Sequence, residues 1–430
     1  MADGTNTSEL PFARLEGWPS GLRNAAIGLT VAGAIVFGLA LVADADRAWH
    51  AYLVNWLFVT SIAQGAVMFA VLVTITRGMW SRPVRRIALS FVSFLPVAYV
   101  LMLPMLFAAD HIFPWLDEPV AGKEAYLNLP FLVIRHVVLL AALFWLSNVF
   151  ARASLRPDVG MVRSRMSGTI AALYERLASG WQGQETEEAR AFRRTTRLAP
   201  VLALVYAVAF SVVAWDFVMS LEPHWFSTLI GPYFFMPAIL GGMAATAITT
   251  RWLTRQLGMA DIVAPSQWHD LGKLMFGFCV FWAYLFFSQF IVIWYGMLPG
   301  EQSFVIHRFT APFSAIAKIV FACLFVIPFF GMLGVATKRN PRTLTVFAGI
   351  ILTGLWFERW LLVYPSHNPG AERLPLGWQE IGVALLFIGL LLGAIGRFAT
   401  RFPLFQIWQP MSEIELGGVP VPERVPAGTP

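Results

Sequence analysis

Six ionisable side chains interrupt long apolar stretches of this sequence, and their chemistry is the first clue to function. They are Arg135, His136, Asp216, Lys318, Glu358 and Arg359. A charge is costly in hydrocarbon, so such groups usually face a water-filled interior or a partner side chain. Two interpretations fit these residue types. They line a proton pathway or a quinone chamber, or they form ion pairs between helices, with Arg135 or Lys318 neutralising Asp216 or Glu358.

A second polar set is spaced to share one face of a helix. Asp270, Gly277, Tyr284, Ser288 and Tyr295 recur at intervals of 7, 7, 4 and 7 residues, which places them on one side of a helix. A proton relay needs such a row, because protons move along hydrogen bonds between hydroxyl and carboxyl groups. The pattern also fits a helix–helix contact, where small and hydroxylic residues permit close packing. Asp270, Tyr284 and Ser288 are therefore further candidates for proton transfer.

Three aromatic residues are candidates for the wall of a quinone pocket. Trp225, Trp294 and Tyr295 each follow or end an apolar stretch. Most of the 17 tryptophans bracket such stretches, which is where interfacial anchors belong. The alternative for these three residues is therefore an ordinary place in an aromatic belt.

Histidine and cysteine placement argues against a metal or redox centre on this chain. A transmembrane di-haem site needs facing histidine pairs within the bilayer, and His136 alone lies well inside an apolar stretch. Cys279 and Cys323 are too few for a four-cysteine zinc site or an all-cysteine iron–sulfur cluster. The sequence contains neither HExxH nor GxSxG. We therefore predict no catalytic or metal-binding residue here and expect any redox centre on partner chains.

The elements that must position these residues are membrane-spanning helices. Of 430 residues, 57% are hydrophobic and 13% charged, about half the charged share of a soluble domain. At about 1.5 Å per residue, some 20 apolar residues cross the hydrocarbon core. The sequence thus predicts an all-α polytopic membrane protein with about ten transmembrane helices. They lie near residues 24–42, 51–76, 87–109, 127–150, 198–219, 233–250, 271–295, 312–334, 344–364 and 381–398.

Basic residues orient these helices, because Lys and Arg accumulate in cytoplasmic loops. With the N-terminus inside, 24 of the 31 basic residues lie in cytoplasmic segments and four in the opposite loops. We therefore predict that both termini are cytoplasmic. The same asymmetry explains the pI near 9.5 as a topology signal, and not as an anion-binding surface or a nucleic-acid partner.

The predicted organisation has five segments. A cytoplasmic N-terminus (1–23) precedes transmembrane helices one to four (24–150), and a cytoplasmic loop (151–197) precedes helices five to ten (198–398) and a cytoplasmic tail (399–430). The loop is expected to hold a short amphipathic helix at 161–177, and the proline-rich tail from Pro410 to be extended or docked on a neighbour. Ala43 and Ala45 resemble a signal-peptidase site, but the 23-residue polar lead favours a retained anchor.

Several motifs resemble those of the ActF subunits of alternative complex III. The resemblance covers most of the chain. It rests on Trp215-Asp216, Met219-Ser220-Leu221-Glu222-Pro223, Trp225-Phe226-Ser227-Thr228, Phe281-Trp282-Ala283-Tyr284, Ser288-Gln289, Ile293-Trp294-Tyr295, Pro299, Glu301, His307-Arg308 and Pro328-Phe329. These subunits belong to the wider NrfD and polysulfide-reductase type of integral membrane proteins, which carry no redox centre of their own.

The resemblance implies a fold, a cellular location and partners. The fold would be two four-helix bundles, helices two to five and six to nine, flanked by peripheral first and last helices. The chain would lie in a bacterial inner membrane, in a complex that oxidises quinol and reduces cytochrome c or an oxidase. An ActC-like sister subunit, an iron–sulfur protein and haem c subunits would be its partners, with a terminal oxidase as a further one. The iron–sulfur clusters and haem c would belong to those partners, and a quinone is the ligand that could approach this chain.

Three functional hypotheses follow from the sequence. The leading one is a membrane subunit of a quinol:electron-acceptor oxidoreductase that is not catalytic alone and that provides a proton half-channel or a quinone-adjacent cavity. The second is a structural anchor whose polar residues only pair helices. The third is a stand-alone secondary transporter, which would use broken helices near the membrane midplane and an inverted repeat.

Overall fold

The computed structural model describes residues 10–408, and within this range the chain is all-α with ten helices long and apolar enough to span a membrane. The protein is therefore a polytopic membrane protein, as the sequence predicts. We label these helices α1 to α10 in chain order. They are Ser20–Ala43, Ala45–Ile75, Met79–Phe107, Leu129–Arg165, Gln184–Leu221, Ile230–Gln256, Pro265–Gly296, Ser314–Gly331, Pro341–His367 and Trp378–Arg401.

Local sequence explains where several of these helices begin. Asn340 directly precedes Pro341, and Asn128 lies two residues before Pro130. Their Oδ1 atoms accept the backbone N–H groups of Arg342 and Phe131 at 2.9 Å. Such caps satisfy amide groups that have no partner within the helix. The following proline fits the first turn because it has no N–H to lose. Each helix also contains an apolar stretch long enough to cross the hydrocarbon core, and the bilayer stabilises that stretch.

The helices pack as two groups of four with a flanking pair. Helices α2 to α5 contact one another, α6 to α9 form the second group, and α2 packs against α6 at the centre. Helix α1 packs mainly on α10, and both lie beside α2. This packing agrees with the two-bundle arrangement that the resemblance implies.

Two glycines allow the central helices α2 and α6 to touch through their backbones. A Cβ on Gly65 would lie 1.8 Å from Ala238 O, and a Cβ on Gly242 would lie 2.1 Å from Ala66 N. No side chain larger than hydrogen fits at either position without moving one helix. Close backbone contact of this kind is a common way to associate helices in a membrane.

Most of the predicted cytoplasmic segment, residues 151–197, is helical. Helix α4 continues to Arg165 and α5 begins at Gln184, so most of residues 151–197 belongs to helices that extend beyond their apolar windows. Arg156 and Glu187 join these extensions through two hydrogen bonds of 2.7 and 3.1 Å. The expected amphipathic helix is Gly168–Leu177 and not 161–177, because α4 occupies the first residues of that range.

The even-numbered helices finish at the predicted inner end of the bundle. The segments before α1 and after α10 pack across this end. Asp158 Oδ1 accepts the backbone N–H groups of Ile407 and Trp408 at 3.1 and 3.0 Å, and Arg86 Nη2 donates to Asp158 Oδ2 at 2.5 Å. Burial raises the pKa of Tyr174 to about 12, so its neutral hydroxyl donates to Arg401 O at 2.9 Å. We call residues 402–408, held by these contacts, the C-terminal latch. The predicted tail from Pro410 lies outside the described residues.

Candidate functional site

The first buried charge cluster joins α4 to α5. Arg135 donates from Nε and Nη2 to the two carboxylate oxygens of Asp216, at 2.6 and 2.7 Å. His136 Nε2 lies 2.7 Å from Asp216 Oδ2, and the Arg135 guanidinium stacks 3.9 Å above the centre of the Tyr126 ring. Asp216 and His136 are inaccessible to solvent, and Arg135 is 8% exposed. The structure therefore adopts one of the ion pairs that the sequence allowed, with His136 added to it.

The second cluster lies in the other group of four helices. Glu358 on α9 accepts a hydrogen bond of 2.6 Å from Trp282 Nε1 on α7, and its other oxygen lies 3.2 Å from Arg359 Nη1. Arg359 Nη2 donates to Phe234 O at 2.9 Å, and its guanidinium packs 3.9 Å from the Phe234 ring. Glu358 and Arg359 are each 1% exposed. This cluster therefore holds a carboxylate and a guanidinium deep in the protein.

A small cavity adjoins Glu358. Its open volume is about 60 Å³, which is room for a few water molecules. Most of its wall is apolar, with Tyr233, Trp282, Phe286, Gln289, Arg308 and Glu358 among the lining residues. Gln289 Oε1 is buried, and among residues 10–408 it has no hydrogen-bond partner. Because an unsatisfied buried oxygen is unfavourable, water or another hydrogen donor in the cavity would stabilise it.

Arg308 forms one side of this cavity and ties three elements together. It lies on the short helix Pro299–Phe309 and donates to Glu222 Oε1, Ser366 Oγ and Leu362 O at 2.9, 2.7 and 2.9 Å. Ser366 Oγ also donates to Glu222 Oε1 at 2.9 Å. Burial lowers the pKa of Arg308 below its ordinary value, and the Glu222 carboxylate opposes that shift. These contacts hold the connection between α7 and α8 over the cavity.

Both clusters lie towards the same end of the bundle. Helix α4 begins there and the odd-numbered helices finish there, and by the charge asymmetry this is the predicted outer end. Arg135 lies six residues after the start of α4, Asp216 five residues before the end of α5, and Glu358 nine residues before the end of α9. At about 1.5 Å per residue, Glu358 is the deepest of the three, roughly 14 Å from its helix end.

The proposed relay face of α7 is not joined to these clusters. Asp270 pairs with Lys273 at 2.6 Å, and Tyr284 is 62% exposed. Ser288 is half-buried and does not line the cavity, whereas Trp282 and Gln289 of the same helix do. This face therefore looks outwards, towards lipid or a partner chain, and its role in proton transfer stays a prediction.

The remaining predicted residues do not line this cavity, although Trp225 packs on Phe304, which does. Trp225 is buried and stacks on Phe304 with ring centres 3.7 Å apart, while Trp294 and Tyr295 contact each other at the surface, 60% and 80% exposed. The three aromatic residues therefore do not form one wall around this cavity. Lys318 is exposed on α8, and within the described chain it does not take part in the ion pairs of Asp216 and Glu358.

Sequence reasoning missed the uncharged residues of the cavity. Trp282, Phe286 and Gln289 recur at intervals of four and three residues, which is the signal of one helix face. It also missed Glu380, which accepts hydrogen bonds from Arg47 at 2.8 and 3.1 Å and from Tyr364 at 2.7 Å. Glu380 falls just before the tenth apolar stretch, so a search confined to apolar stretches passes over it.

Comparisons with known proteins leave the family open. The chain matches no protein-family model, and a comparison with curated proteins finds no match. Among the described residues, no three His, Cys, Asp or Glu side chains are grouped so that they could hold a metal ion. The functional argument therefore rests on the membrane fold, the two buried clusters and the cavity beside Glu358.

Proposed function

We propose that this chain is an integral membrane subunit of a quinol:electron-acceptor oxidoreductase, of the kind that ActF subunits represent in alternative complex III. Iron–sulfur clusters and haem c on partner subunits carry the electrons. This subunit anchors them in the membrane and provides a short proton route from its outer end. It is not an enzyme by itself.

The observation that carries the proposal is the position of Glu358. A buried carboxyl group adjoins a cavity with room for water, inside a membrane protein, and the cavity also contains an unsatisfied amide oxygen. Intramembrane ionisable groups of this kind commonly mark proton pathways. Trp282 donates to one oxygen of this group, whereas the other lies 3.2 Å from Arg359 Nη1 and has no hydrogen-bond partner in the described part of the chain, which leaves it able to accept a proton from the cavity.

The second candidate function is a structural anchor, and the Arg135 cluster favours it. Arg135 and His136 occupy both carboxylate oxygens of Asp216, although His136 Nδ1 is buried without a hydrogen-bond partner in the described part of the chain. Such a cluster joins α4 to α5 and needs no exchange with solvent. In this alternative, changes at Glu358 lower the yield of the assembled complex without changing its turnover.

Purification of the tagged full chain in a mild detergent tests whether the chain belongs to an oxidoreductase complex. The proposal predicts that proteins with haem c absorption and iron–sulfur clusters co-purify with the chain in fixed proportion. A chain that elutes alone, or as a homo-oligomer, from membranes that retain those proteins would refute the proposal and favour a transporter.

The proton route is tested with Glu358→Gln in the assembled complex, and Glu372→Gln is the matched control. Glu372 lies exposed between α9 and α10, so the control makes the same chemical change at the predicted outer end. A proton-transfer group contributes about 10²–10⁴-fold to a rate, so we expect quinol oxidation per haem c to fall about a hundredfold in E358Q and to stay unchanged in E372Q. Unchanged turnover and proton release in E358Q would exclude this route.

A further inference from the structure

A basic pocket lies between the ends of α6, α7 and α9 at the predicted inner end, opposite the buried clusters. Its open volume is about 290 Å³. Three arginines line it, Arg251 and Arg255 from the last turns of α6 and Arg342 from the first turn of α9. Trp268 and Asn340 complete the wall, and Asp261 is the one acidic residue lining this pocket. The pocket therefore gathers three positive charges around one negative charge.

The arginines of this pocket have unused hydrogen-bonding capacity. Arg251 Nη1 donates to Thr345 Oγ1 at 2.9 Å, but Arg251 Nε is buried without a hydrogen-bond partner in the described part of the chain. Arg255 follows Arg251 by about one turn of α6, and Arg342 lines the same pocket from α9. Between residues 10 and 408, none of the three arginines forms an ion pair with a carboxylate. Like charges held together in this way are stabilised by an anion placed among them.

From this geometry we infer a binding site for the phosphate group of an anionic membrane phospholipid. Guanidinium groups suit phosphate because their N–H groups match its oxygens in pairs. The start of α9 adds the positive end of a helix dipole beside Arg342. Basic pockets between transmembrane helices on the cytoplasmic side are typical positions for acidic lipid headgroups. The inference is independent of the proposed oxidoreductase function.

The position of the pocket favours a lipid phosphate over free inorganic phosphate. Arg251 lies five residues before the end of α6, and Arg342 is the second residue of α9, so both lie near the membrane surface. A separate apolar groove with an open volume of about 540 Å³ lies between α2, α6, α9 and α10 and shares no lining residue with the pocket. Its residues Ile248 and Thr249 lie within one helical turn of Arg251 along α6, so apolar surface begins close to the depth of the arginines.

The test uses the full chain, stripped of lipid in detergent, and measures its thermal unfolding by tryptophan fluorescence. Cardiolipin, phosphatidylcholine and inorganic phosphate are titrated separately at equal ionic strength. Each probe that binds the native state raises the unfolding midpoint in proportion to its concentration and affinity. The variant Arg251→Gln/Arg342→Gln removes two charges of the pocket. Arg193→Gln/Arg194→Gln removes two exposed charges from α5 and is the matched control.

We expect cardiolipin to raise the midpoint of the unchanged chain and phosphatidylcholine to have little effect. Each basic residue near an anionic membrane surface typically strengthens binding about fivefold. The pocket variant lacks two of them and should therefore bind cardiolipin about thirtyfold more weakly. The affinity of the control variant should stay within about threefold of that of the unchanged chain. If the double variant does not fold, Arg342→Gln alone should weaken binding about fivefold, since this side chain is exposed.

Three results would overturn the inference. The first is equal weakening in the pocket variant and the control, which would indicate unspecific attraction to the basic end of the protein. The second is equal protection by cardiolipin and phosphatidylcholine, which would remove the role of lipid charge. The third is full protection by millimolar inorganic phosphate alone, which would assign the pocket to free phosphate.

Discussion

Replacing Asp216 with asparagine removes the negative charge from the cluster that joins α4 to α5. In the native protein, Arg135 makes two charge-assisted hydrogen bonds to Asp216, at 2.6 and 2.7 Å, and is 8% exposed. After the substitution the guanidinium keeps one bond to Tyr126 O and its contact with the Tyr126 ring. Leaving a buried charge without its partner typically costs about 3–5 kcal/mol. We therefore expect the free energy of unfolding to fall by about that amount.

The assay is equilibrium unfolding in mixed micelles with increasing denaturing detergent, followed by tryptophan fluorescence. The matched control is Asp270→Asn, which makes the same change in an ion pair at the protein surface. Asp270 lies 2.6 Å from an exposed Lys273, and surface pairs contribute about 0–1 kcal/mol. The control variant should therefore remain within about 1 kcal/mol of the unchanged protein.

A double variant distinguishes the cost of leaving one buried charge unpaired from the cost of losing the whole ion pair. Replacing both members, as Arg135→Met with Asp216→Leu, leaves no unpaired charge. His136 and Tyr126 O each lose a hydrogen-bond partner, at a typical cost of about 1–3 kcal/mol for each buried group. This double variant should be more stable than Asp216→Leu alone. The reasoning is refuted if Asp216→Asn loses no more than Asp270→Asn, or if the double variant is the less stable of the two.

Two further predictions concern packing and the latch. Gly65→Ala should lower the free energy of unfolding by about 1–3 kcal/mol, because its Cβ would meet Ala238 O at 1.8 Å; Gly38→Ala, whose Cβ would have open space, should change it by less than about 0.5 kcal/mol in the same unfolding assay. Asp158→Asn should weaken the two backbone hydrogen bonds that hold the C-terminal latch. Hydrogen exchange of the Ile407 and Trp408 amides, measured by mass spectrometry, should then become about tenfold faster or more. An unchanged exchange rate would contradict this prediction.

The sequence predicts the number and order of the membrane helices well, because each apolar stretch carries its own signal. It predicts their ends poorly where a helix continues into water. Residues 151–162 are polar enough to suggest a loop, yet α4 continues through them because Arg156 and Asp158 find partners on other elements. Such partners are distant in the sequence, so no local pattern indicates them.

The candidate site was found only in part for a similar reason. Asp216 and Glu358 were identified because a charge inside an apolar stretch is conspicuous. The spacing of Tyr284 and Ser288 correctly places them on one face of α7, but spacing does not say which way that face points. Gln289 lines the cavity from a neighbouring position but carries no charge, so the sequence alone does not distinguish it from other polar residues.

The pairing of α1 with α10 determines when the protein can finish folding after synthesis. Leu15 N donates to Ala399 O, and Leu404 N donates to Ala13 O, and α1, the first of the ten described helices, packs mainly on the tenth. A Cβ on Gly33 of α1 would meet Leu386 N of α10 at 2.1 Å, which shows how closely the two helices fit. Contacts between such distant parts of a chain form late. During translation α1 can pack against α2 but lacks its main partner until α10 has been synthesised.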